Sequence, residues 1–218
     1  SLKDKNIKKL MGKPLIHYSI DTAFKSKCFE KVIFSSDSQK YINIALKKNN
    51  NLEIHKRGKK ISSSIASEFS VFFDYIMKQK KYLPLFFAHL RPTNPIRNVA
   101  IIRNVIKKFN KVGKNYSSIR TISEMANPTF RSCILKNNRI CSVIKNDFNM
   151  EKYWIPRQLF KKTYFPSCTI DIYKTKNILK NKSLWGNKIY GYVDKDLTVD
   201  IDTLEDFKYA EFILKNRK

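Results

Sequence analysis

Short apolar runs alternate along this chain with segments whose apolar residues recur at helical spacing. The runs are rich in β-branched and aromatic residues, and runs of this length and composition are typical of buried strands. The predicted strands are residues 31–37, 52–57, 83–90, 117–123, 169–173 and 198–203. Residues 83–90 form the most apolar run, so they should be a central strand.

Amphipathic helices are predicted between and after these strands, because apolar side chains recur there every three or four positions. The first helix follows Gly12 and Pro14, which force a turn and suit the start of a helix. The predicted helices are residues 15–23, 38–48, 69–77, 99–109 and 203–214.

Strands that alternate with helices predict a three-layer α/β fold with a mostly parallel, Rossmann-like sheet. The 218 residues suit a single domain with a full hydrophobic core. Residues 130–166 change character, since two short strand-like pieces flank Asn137-Asn138 and a charged loop follows. We expect this excursion to be an insertion within one domain that spans residues 1–218.

The chain carries a formal net charge of +26, which ordinarily suggests a nucleic-acid partner. Its lysines are, however, dispersed through predicted helices and loops, often beside Asn and Ile, as in residues 44–51. The sequence contains no RNA-binding signature and no Cys/His finger. The pattern favours a solvated basic surface with a general attraction for anionic substrates, rather than a nucleic-acid interface.

The four cysteines and three histidines are scattered without the spacing of a zinc site or a disulfide framework. Such cysteine usage fits a reducing cytosol. No apolar run approaches the roughly 18 residues that a membrane span needs, and no signal peptide is visible. We therefore expect a cytoplasmic protein with no membrane partner.

Lysines dominate the segment that precedes the first helix. Lys3 and Lys5 lie on a stretch too polar to pack, shortly before the predicted helix start. Such a loop suits the binding of a phosphorylated ligand, and it equally suits a solvated basic surface. The residues alone leave both interpretations open.

Two aspartates near the end of the chain share one face of the last predicted strand. Side chains alternate along a strand, so Asp200 and Asp202 lie together while Val199 and Ile201 face the other way. Neighbouring carboxylates repel unless a cation or a proton lies between them. Mg²⁺ beside a nucleoside triphosphate is the natural occupant, with Mn²⁺ as a substitute. The other interpretation is that Asp202 only caps the helix that follows.

Several motifs resemble those of the acylneuraminate cytidylyltransferases, the family of the CMP-sialic-acid and CMP-legionaminic-acid synthetases. The matching motifs are Lys3-Asp4-Lys5-Asn6-Ile7-Lys8 with Gly12-Lys13-Pro14-Leu15-Ile16, Arg91-Pro92-Thr93-Asn94-Pro95-Ile96-Arg97, Arg157-Gln158 with Lys162, Tyr164 and Pro166, and Asp200-Ile201-Asp202-Thr203 with Asp206-Phe207. The resemblance covers essentially the whole chain, and its two ends are its most specific parts.

The resemblance implies an enzyme that transfers CMP from CTP to a nine-carbon 2-keto sugar acid, for surface glycan synthesis. It implies catalytic roles for Lys5, Asp200 and Asp202, with the two aspartates as the Mg²⁺ ligands. The implied nucleotide-binding residues are Lys5, Asn6, Arg57 and Ser67. The implied residues on the sugar acid are Arg91, Arg97, Arg131, Arg157, Gln158, Lys162 and Tyr164. A homodimer formed through residues 130–166 is also implied.

The sequence departs from the family pattern in three places. The family's Ala-Arg-x-Gly-Ser-Lys loop and the strand before it are absent, so we expect the sequence to be truncated at its N-terminus and, as given, inactive. Ser64 stands where the family usually has Asp. Ser167-Cys168 stand where it has Asn-Gly, which leaves the identity of the acceptor sugar open.

Two alternatives to this function follow from the residues. A related synthetase could act on the eight-carbon acid keto-deoxy-octulosonate, although residues 157–166 lean against it. In a different class, the chain could be a non-catalytic basic binding protein that has the same fold.

Overall fold

The computed structural model describes residues 2–63, 65–79, 82–143 and 150–216. Ser64, which is one of the three departures from the family pattern, lies outside the described residues. The strands are β1 Lys9–Leu10, β2 Lys13–Pro14, β3 Ile33–Ser36, β4 Glu53–Lys56, β5 Phe86–His89, β6 Ser118–Glu124, β7 Cys133–Lys136, β8 Arg139–Ser142, β9 Tyr164–Lys174 and β10 Ile189–Val193. The helices are α1 Leu15–Ser26, α2 Gln39–Lys48, α3 Glu68–Lys78, α4 Val99–Val112, α5 Met150–Tyr153, α6 Thr175–Asn181 and α7 Leu204–Asn216.

The largest sheet has the strand order β10-β6-β9-β5. Strands β10 and β6 are parallel, and β9 runs antiparallel to both β6 and β5. Three of its four strands therefore share one direction. A second, parallel pair joins β3 to β4. The predicted α/β class with a mostly parallel sheet is confirmed.

Helices cover both faces of the large sheet, which gives three layers. On one face α4 packs through Ile102 and Val105 against Ile172 of β9. On the other face α3 and α6 pack against Tyr173, the next residue of the same strand. Consecutive strand residues point to opposite faces, so β9 is buried on both sides and forms the centre of the core.

Residues 198–203 were predicted to be a strand, and this prediction is wrong. They form an extended segment without a strand ladder, held to the loop between β5 and α4 by a backbone hydrogen bond from the Ile201 N–H to the Thr93 carbonyl (2.9 Å). The side chains nevertheless alternate as expected, because Val199 and Ile201 are buried while Asp200 and Asp202 are exposed. Burial of Val199 and Ile201 and the hydrogen bond to Thr93 together hold the segment in place.

Helix α7 begins with a reciprocal cap. The Thr203 hydroxyl accepts a hydrogen bond from the Asp206 N–H (3.1 Å), and the Asp206 carboxylate accepts one from the Thr203 N–H (2.8 Å). Asp206 also accepts a bond from the Asp202 N–H (3.0 Å). These contacts lower the pKa of Asp206, chiefly through the backbone N–H groups of Thr203 and Asp202. The capping side chains are Thr203 and Asp206, so the carboxylate of Asp202 is available for another role.

Replacing Thr203 with Ala is expected to destabilise the protein by about 1 kcal/mol, the usual cost of an N-cap. That loss corresponds to a fall in melting temperature of roughly 2–4 °C for a chain of this size. Thr203→Ser keeps the hydroxyl and serves as the control in the same calorimetric measurement. Equal melting temperatures for the Ala and Ser variants would show that the hydroxyl does not cap the helix.

The excursion contains the predicted pair of short strands. Strands β7 and β8 form an antiparallel hairpin whose turn is Asn137-Asn138, both with positive φ (48° and 62°). Two such residues favour the turn that matches the twist of paired strands. Strand β9 already begins at Tyr164, two residues before the predicted end of the excursion.

Helix α6 and strand β10 were not predicted. Strand β10 is an edge strand with mostly exposed side chains, and Gly191 interrupts its run of β-branched and aromatic residues. Within the described parts of the chain, no helix is both long and apolar enough to cross a bilayer.

Candidate active site

Lys5 and Asp202 form an ion pair between the two ends of the chain. The Lys5 Nζ lies 2.7 Å from an Asp202 carboxylate oxygen. The lysine side chain is only 15% exposed, whereas the aspartate side chain is 72% exposed. The pair therefore has a fixed cation on the protein side and a carboxylate that faces solvent.

A shared hydrophobic cluster brings these distant segments together. Leu10 and Leu15 from the start of the chain pack with Val199, Ile201 and Phe207 from its end. Alternation then places Asp200 and Asp202 on the outer side of the same segment. Burial of the apolar residues thus fixes the position of the two carboxylates.

Asp4 anchors the lysine-rich loop to helix α2. Its carboxylate accepts hydrogen bonds from Lys40 (3.0 Å) and from the Tyr41 hydroxyl (2.9 Å). Partial burial and the bond to Asp4 raise the pKa of Tyr41 to about 12, so the hydroxyl keeps its proton at neutral pH. These hydrogen bonds attach the loop that carries Lys5 to helix α2, so the loop is not solvated throughout.

Asp200 lies beside Cys168, one of the residues that depart from the family pattern. Burial raises the pKa of the Cys168 thiol to about 11, and the negative charge of Asp200 contributes to this rise. The thiol is therefore neutral at physiological pH. Cys168 also has a φ of 56°, a left-handed conformation that glycine adopts at little cost. This conformation explains why a family pattern would carry Gly at this position.

The backbone around Cys168 is a bulge in β9. Arg120 pairs with Asp171 but Ile122 pairs with Pro166, so a single β6 residue, Thr121, stands opposite four residues of β9. Bulges of this kind redirect side chains next to active sites. Here the bulge brings residues 167–168 to the segment that carries Asp200.

Arg97 holds this bulge in place. Its guanidinium is buried and donates hydrogen bonds to the backbone carbonyls of Thr169, Cys168 and Arg91, and to the Ser19 hydroxyl (3.0 Å). Burial, and then the neighbouring charge of Arg91, lowers the pKa of Arg97 to about 9. Arg97, which was predicted to bind the sugar acid, is therefore buried with its donors engaged by the protein.

Arg91 bridges two carboxylates. It contacts Glu68 at the start of α3 (2.7 Å) and Asp171 in β9 (2.6 Å). Asp171 is essentially inaccessible to solvent, and its burial raises the pKa of its carboxyl despite the opposing effect of Arg91. Sequence analysis did not single out Asp171, although an acid in the middle of an otherwise apolar strand was the signal that could have revealed it.

His89, at the end of β5, faces the same charges. Burial, followed by the positive charges of Arg91 and Arg97, lowers the pKa of His89 to about 3. Its Nδ1 has no hydrogen-bond partner within the described residues, and Glu68 lies 3.9 Å away. The imidazole is therefore neutral over the physiological range.

The burial of His89 predicts that the free energy of unfolding depends on pH. The unfolded chain binds a proton at His89 near the ordinary pKa of 6.5, and the folded chain does so only near 3. Between these values the unfolded state binds more protons, so the free energy of unfolding should fall as pH decreases from 6.5 toward 3. His89→Gln should show a smaller fall between pH 7 and 5 than wild type, in urea unfolding monitored by circular dichroism. His17→Gln is the control, and identical slopes for wild type and His89→Gln would contradict the prediction.

Three further residues implied in nucleotide binding are Asn6 in the lysine-rich loop, Arg57 directly after β4 and Ser67 at the start of α3. Arg57 donates to Asp37 (3.0 Å), and its Nε is buried without a partner among the described residues. The Asn6 side-chain oxygen is likewise buried and unpaired in that part of the chain. Ser67 caps α3 by accepting a bond from the Ser70 N–H (3.3 Å). Arg57 and Asn6 thus retain polar atoms that a ligand would satisfy.

The residues implied in sugar binding within the excursion form a separate group. Arg131 donates to the Ile155 carbonyl and stacks against Trp154 and Phe160. Arg157 donates to the Ala126 carbonyl (3.3 Å). The other three are exposed, namely Gln158, Lys162, which pairs with Glu124, and Tyr164.

The structure therefore brings together Lys5, Asp202 and, on the same exposed side of the segment, Asp200. It also joins Arg91 to Arg97 in one buried network. Among the described residues, no direct contact links either group to the side chains of the excursion.

The two aspartates fit a magnesium ion better than a metal with sulfur ligands. Within the described residues, no group of three or more His, Cys, Asp or Glu side chains could enclose an ion. Mg²⁺ at nucleotide sites typically takes one or two carboxylates and completes its shell with water and phosphate oxygens. Since the Cys168 thiol stays protonated, the donors at hand are oxygens. Asp200 and Asp202 are thus a suitable set for Mg²⁺ or Mn²⁺.

The fold is that of a nucleotidyltransferase. It superimposes on the CTP-bound structure of a CMP:2-keto-3-deoxy-manno-octonic acid synthetase with a TM-score of 0.65, covering 98% of this chain and 92% of that one at 10% identity. Identity this low establishes the fold alone. Because the superposition covers 98% of this chain, the similarity extends over the whole fold and is not limited to a few strands or helices.

The family model described as cytidylyltransferase matches residues 1–216, and this chain therefore belongs to the cytidylyltransferase family. It is similar to the post-translational flagellin modification protein B of Campylobacter coli, with 28% identity over 99% of this chain and 90% of the relative. It is also similar to the N-acylneuraminate cytidylyltransferase of Escherichia coli, with 29% identity over the full chain but only 50% of the relative. The chain thus spans about half the length of the latter.

Proposed function

We propose that this cytidylyltransferase transfers CMP from CTP to a nine-carbon 2-keto sugar acid and releases pyrophosphate. The observation that carries the proposal is the ion pair of Lys5 with Asp202 at an exposed surface, beside Asp200. A lysine and two carboxylates complement a triphosphate and the cation that accompanies it. The similarity to an N-acylneuraminate cytidylyltransferase supports a sialic-acid-like acceptor.

In this proposal, the anomeric hydroxyl of the sugar acid attacks the α-phosphorus of CTP. The new P–O bond forms as the bond to pyrophosphate breaks, and the hydroxyl proton is released. The protein contributes positioning and charge neutralisation rather than covalent chemistry. Lys5 would leave Asp202 to bind the triphosphate, and Arg57 and Asn6 would direct their unpaired polar atoms to the nucleotide.

Asp200 and Asp202 would hold the divalent ion. When bound, Mg²⁺ supplies positive charge for the α-phosphate and orients the attacking oxygen. Arg131 or Arg157 would bind the sugar carboxylate, because the planar guanidinium matches a carboxylate with two parallel hydrogen bonds. Gln158, Lys162 and Tyr164 would contact the rest of the sugar.

The test is product analysis with a panel of acceptors. The full-length protein is incubated with CTP, Mg²⁺ and several eight- and nine-carbon 2-keto sugar acids, and the products are identified by mass spectrometry. We expect a CMP adduct and pyrophosphate with a nine-carbon acid. If a CMP adduct forms only with the eight-carbon acid, that acid is the acceptor and the nine-carbon assignment is wrong. If no acid gives an adduct, the result favours a non-catalytic binding protein.

We also propose a homodimer formed through the excursion. Several large apolar side chains of this region are exposed, namely Ile134, Leu135, Ile140, Trp154 and Leu159, and a contiguous exposed apolar patch often marks a protein interface. Light scattering over a wide concentration range should give the dimer mass. A monomer mass throughout would contradict this assembly.

A further inference from the structure

Lysines gather at one end of the large sheet. Residues 111–117 and 174–188 contain seven lysines, no arginine and no acidic residue. We call these two segments the basic end. Six of its lysines are exposed, namely Lys111, Lys114, Lys176, Lys180, Lys182 and Lys188. Because the two segments lie far apart in the sequence, their lysines look dispersed along the chain, and only the fold brings them together.

Hydrogen bonds join the two segments of the basic end. The Ser117 N–H donates to the Lys188 carbonyl (2.6 Å), and the Asn177 side-chain amide donates to the Ser117 carbonyl (2.7 Å). The Lys174 ammonium donates to the Gly113 carbonyl directly after α4. These contacts tie the end of α4 to α6 and to the loop before β10, so the lysines of both segments belong to one continuous surface.

The positive charge of the basic end is not neutralised within the described parts of the chain. None of its six exposed lysines forms an ion pair there. Helix α3 packs beside α6 in the cluster around Tyr173, and its Asp74 is already paired with Lys78 (2.7 Å). Helix dipoles account for two lysines at most, since only Lys111 and Lys180 lie in the last turn of a helix. The remaining charge is available to an anionic partner.

The basic end lacks the contacts that hold nucleic acids. Arginine is the residue that suits nucleic-acid phosphates, because its planar guanidinium binds them with paired hydrogen bonds, and the basic end has only lysines. Base stacking needs accessible aromatic rings. The two aromatic residues of the basic end pack against other rings of the protein instead, Tyr116 against Tyr190 (5.1 Å between centroids) and Trp185 against Tyr173 (4.9 Å).

Exposed apolar side chains border the basic end on two sides. Ile189 follows Lys188 directly and is 47% exposed. Met77 is 64% exposed and lies one helical turn beyond Phe73 of α3, and the Lys182 ammonium lies over the Phe73 ring at 4.4 Å. A bilayer with anionic headgroups matches this combination, since it attracts the lysines and takes up apolar side chains at the boundary of its acyl chains.

We propose that the basic end is a peripheral docking surface for an anionic lipid bilayer. Its lysines lie at the headgroups, and Met77 and Ile189 reach the acyl boundary. Such contact stays at the bilayer surface and needs no spanning segment. The basic end adjoins the amino end of β5, where the Thr175 N–H donates to the Leu85 carbonyl (3.1 Å), whereas Arg91 follows the carboxyl end of that strand. The candidate active site therefore stays open to solution.

The experiment measures sedimentation of the 218-residue chain with extruded lipid vesicles. Vesicles of equal parts phosphatidylcholine and phosphatidylglycerol should carry the protein into the pellet, and vesicles of phosphatidylcholine alone should not. Raising NaCl from about 0.1 M to about 1 M should weaken the binding by roughly tenfold or more, because the Debye length falls from about 10 Å to about 3 Å.

Two matched triple variants locate the contact. The first combines three substitutions in the basic end, Lys114→Gln, Lys176→Gln and Lys180→Gln. The second combines three substitutions at exposed lysines elsewhere, Lys161→Gln, Lys195→Gln and Lys208→Gln. The first should weaken vesicle binding by roughly a hundredfold, since each lysine near an anionic bilayer contributes a factor of about five. The second should bind as wild type does, and equal melting temperatures check that both variants are folded.

Three results would overturn the proposal. The first is no sedimentation with the anionic vesicles. The second is an equal loss of binding in both triple variants, which would make the attraction a property of net charge and not of the basic end. The third is tighter binding of a short RNA duplex than of the vesicles, lost only in the first variant, which would assign the surface to nucleic acid. The outcome does not depend on the reaction that the protein catalyses.

Discussion

Asp202→Asn is expected to reduce kcat by about two orders of magnitude or more, because loss of one electrostatic contact in a transition state typically has this effect. The structure separates this role from helix capping, since Thr203 and Asp206 form the cap of α7. The variant keeps the shape of the side chain and removes the charge that contacts Lys5 and that would face the proposed metal ion. Because exposed ion pairs contribute about 0–1 kcal/mol, the melting temperature should change by no more than roughly 4 °C.

The control for this variant is Glu205→Gln, which removes an exposed carboxylate from the first turn of the same helix. It should leave kcat close to wild type. A higher concentration of Mg²⁺, or the addition of Mn²⁺, should restore part of the activity of Asp202→Asn. An unchanged kcat for Asp202→Asn would remove the metal site from the proposed mechanism.

Arg91→Met is expected to cause the largest loss of stability, about 3–5 kcal/mol, which is the usual cost of leaving a buried charge without its partner. The carboxylate left behind is that of Asp171, which lies 2.6 Å from Arg91 and is inaccessible to solvent. The corresponding fall in melting temperature is roughly 6–20 °C. Arg120 does not replace the missing partner, because its Nε is 4.0 Å from Asp171 and forms no hydrogen bond with it.

A double-variant cycle distinguishes the buried pair from a general packing defect. In an Asp171→Asn background the Arg91→Met substitution should cost clearly less, since no buried negative charge remains. Urea unfolding of the four proteins gives the coupling free energy. Equal costs in both backgrounds would show that Arg91 acts through Glu68 or through packing, and not through Asp171.

The positions of most strands and helices could be predicted because they depend on local apolar spacing. Residues 38–48 predicted a helix, and α2 spans Gln39–Lys48. Strand β10 was missed although its sequence Ile-Tyr-Gly-Tyr-Val is rich in β-branched and aromatic residues, because a glycine in the middle of a short run weakens the strand signal. The strand predicted over residues 198–203 is an extended segment instead, because an alternating pattern specifies which side chains are buried and does not specify a ladder partner.

The candidate site also combines features that the sequence predicts with features that only the tertiary structure determines. Sequence alone placed Asp200 and Asp202 on one face of an extended segment, since alternation along the backbone is a local property. Only the tertiary structure decided that Lys5 faces Asp202 across 197 residues of chain, because the cluster of Leu10, Val199 and Phe207 forms through long-range burial. In the same way, only the fold decided that Arg91 and Arg97 are tied into the protein, since the buried carboxylate and carbonyls that engage them come from β9, more than seventy residues away in the chain.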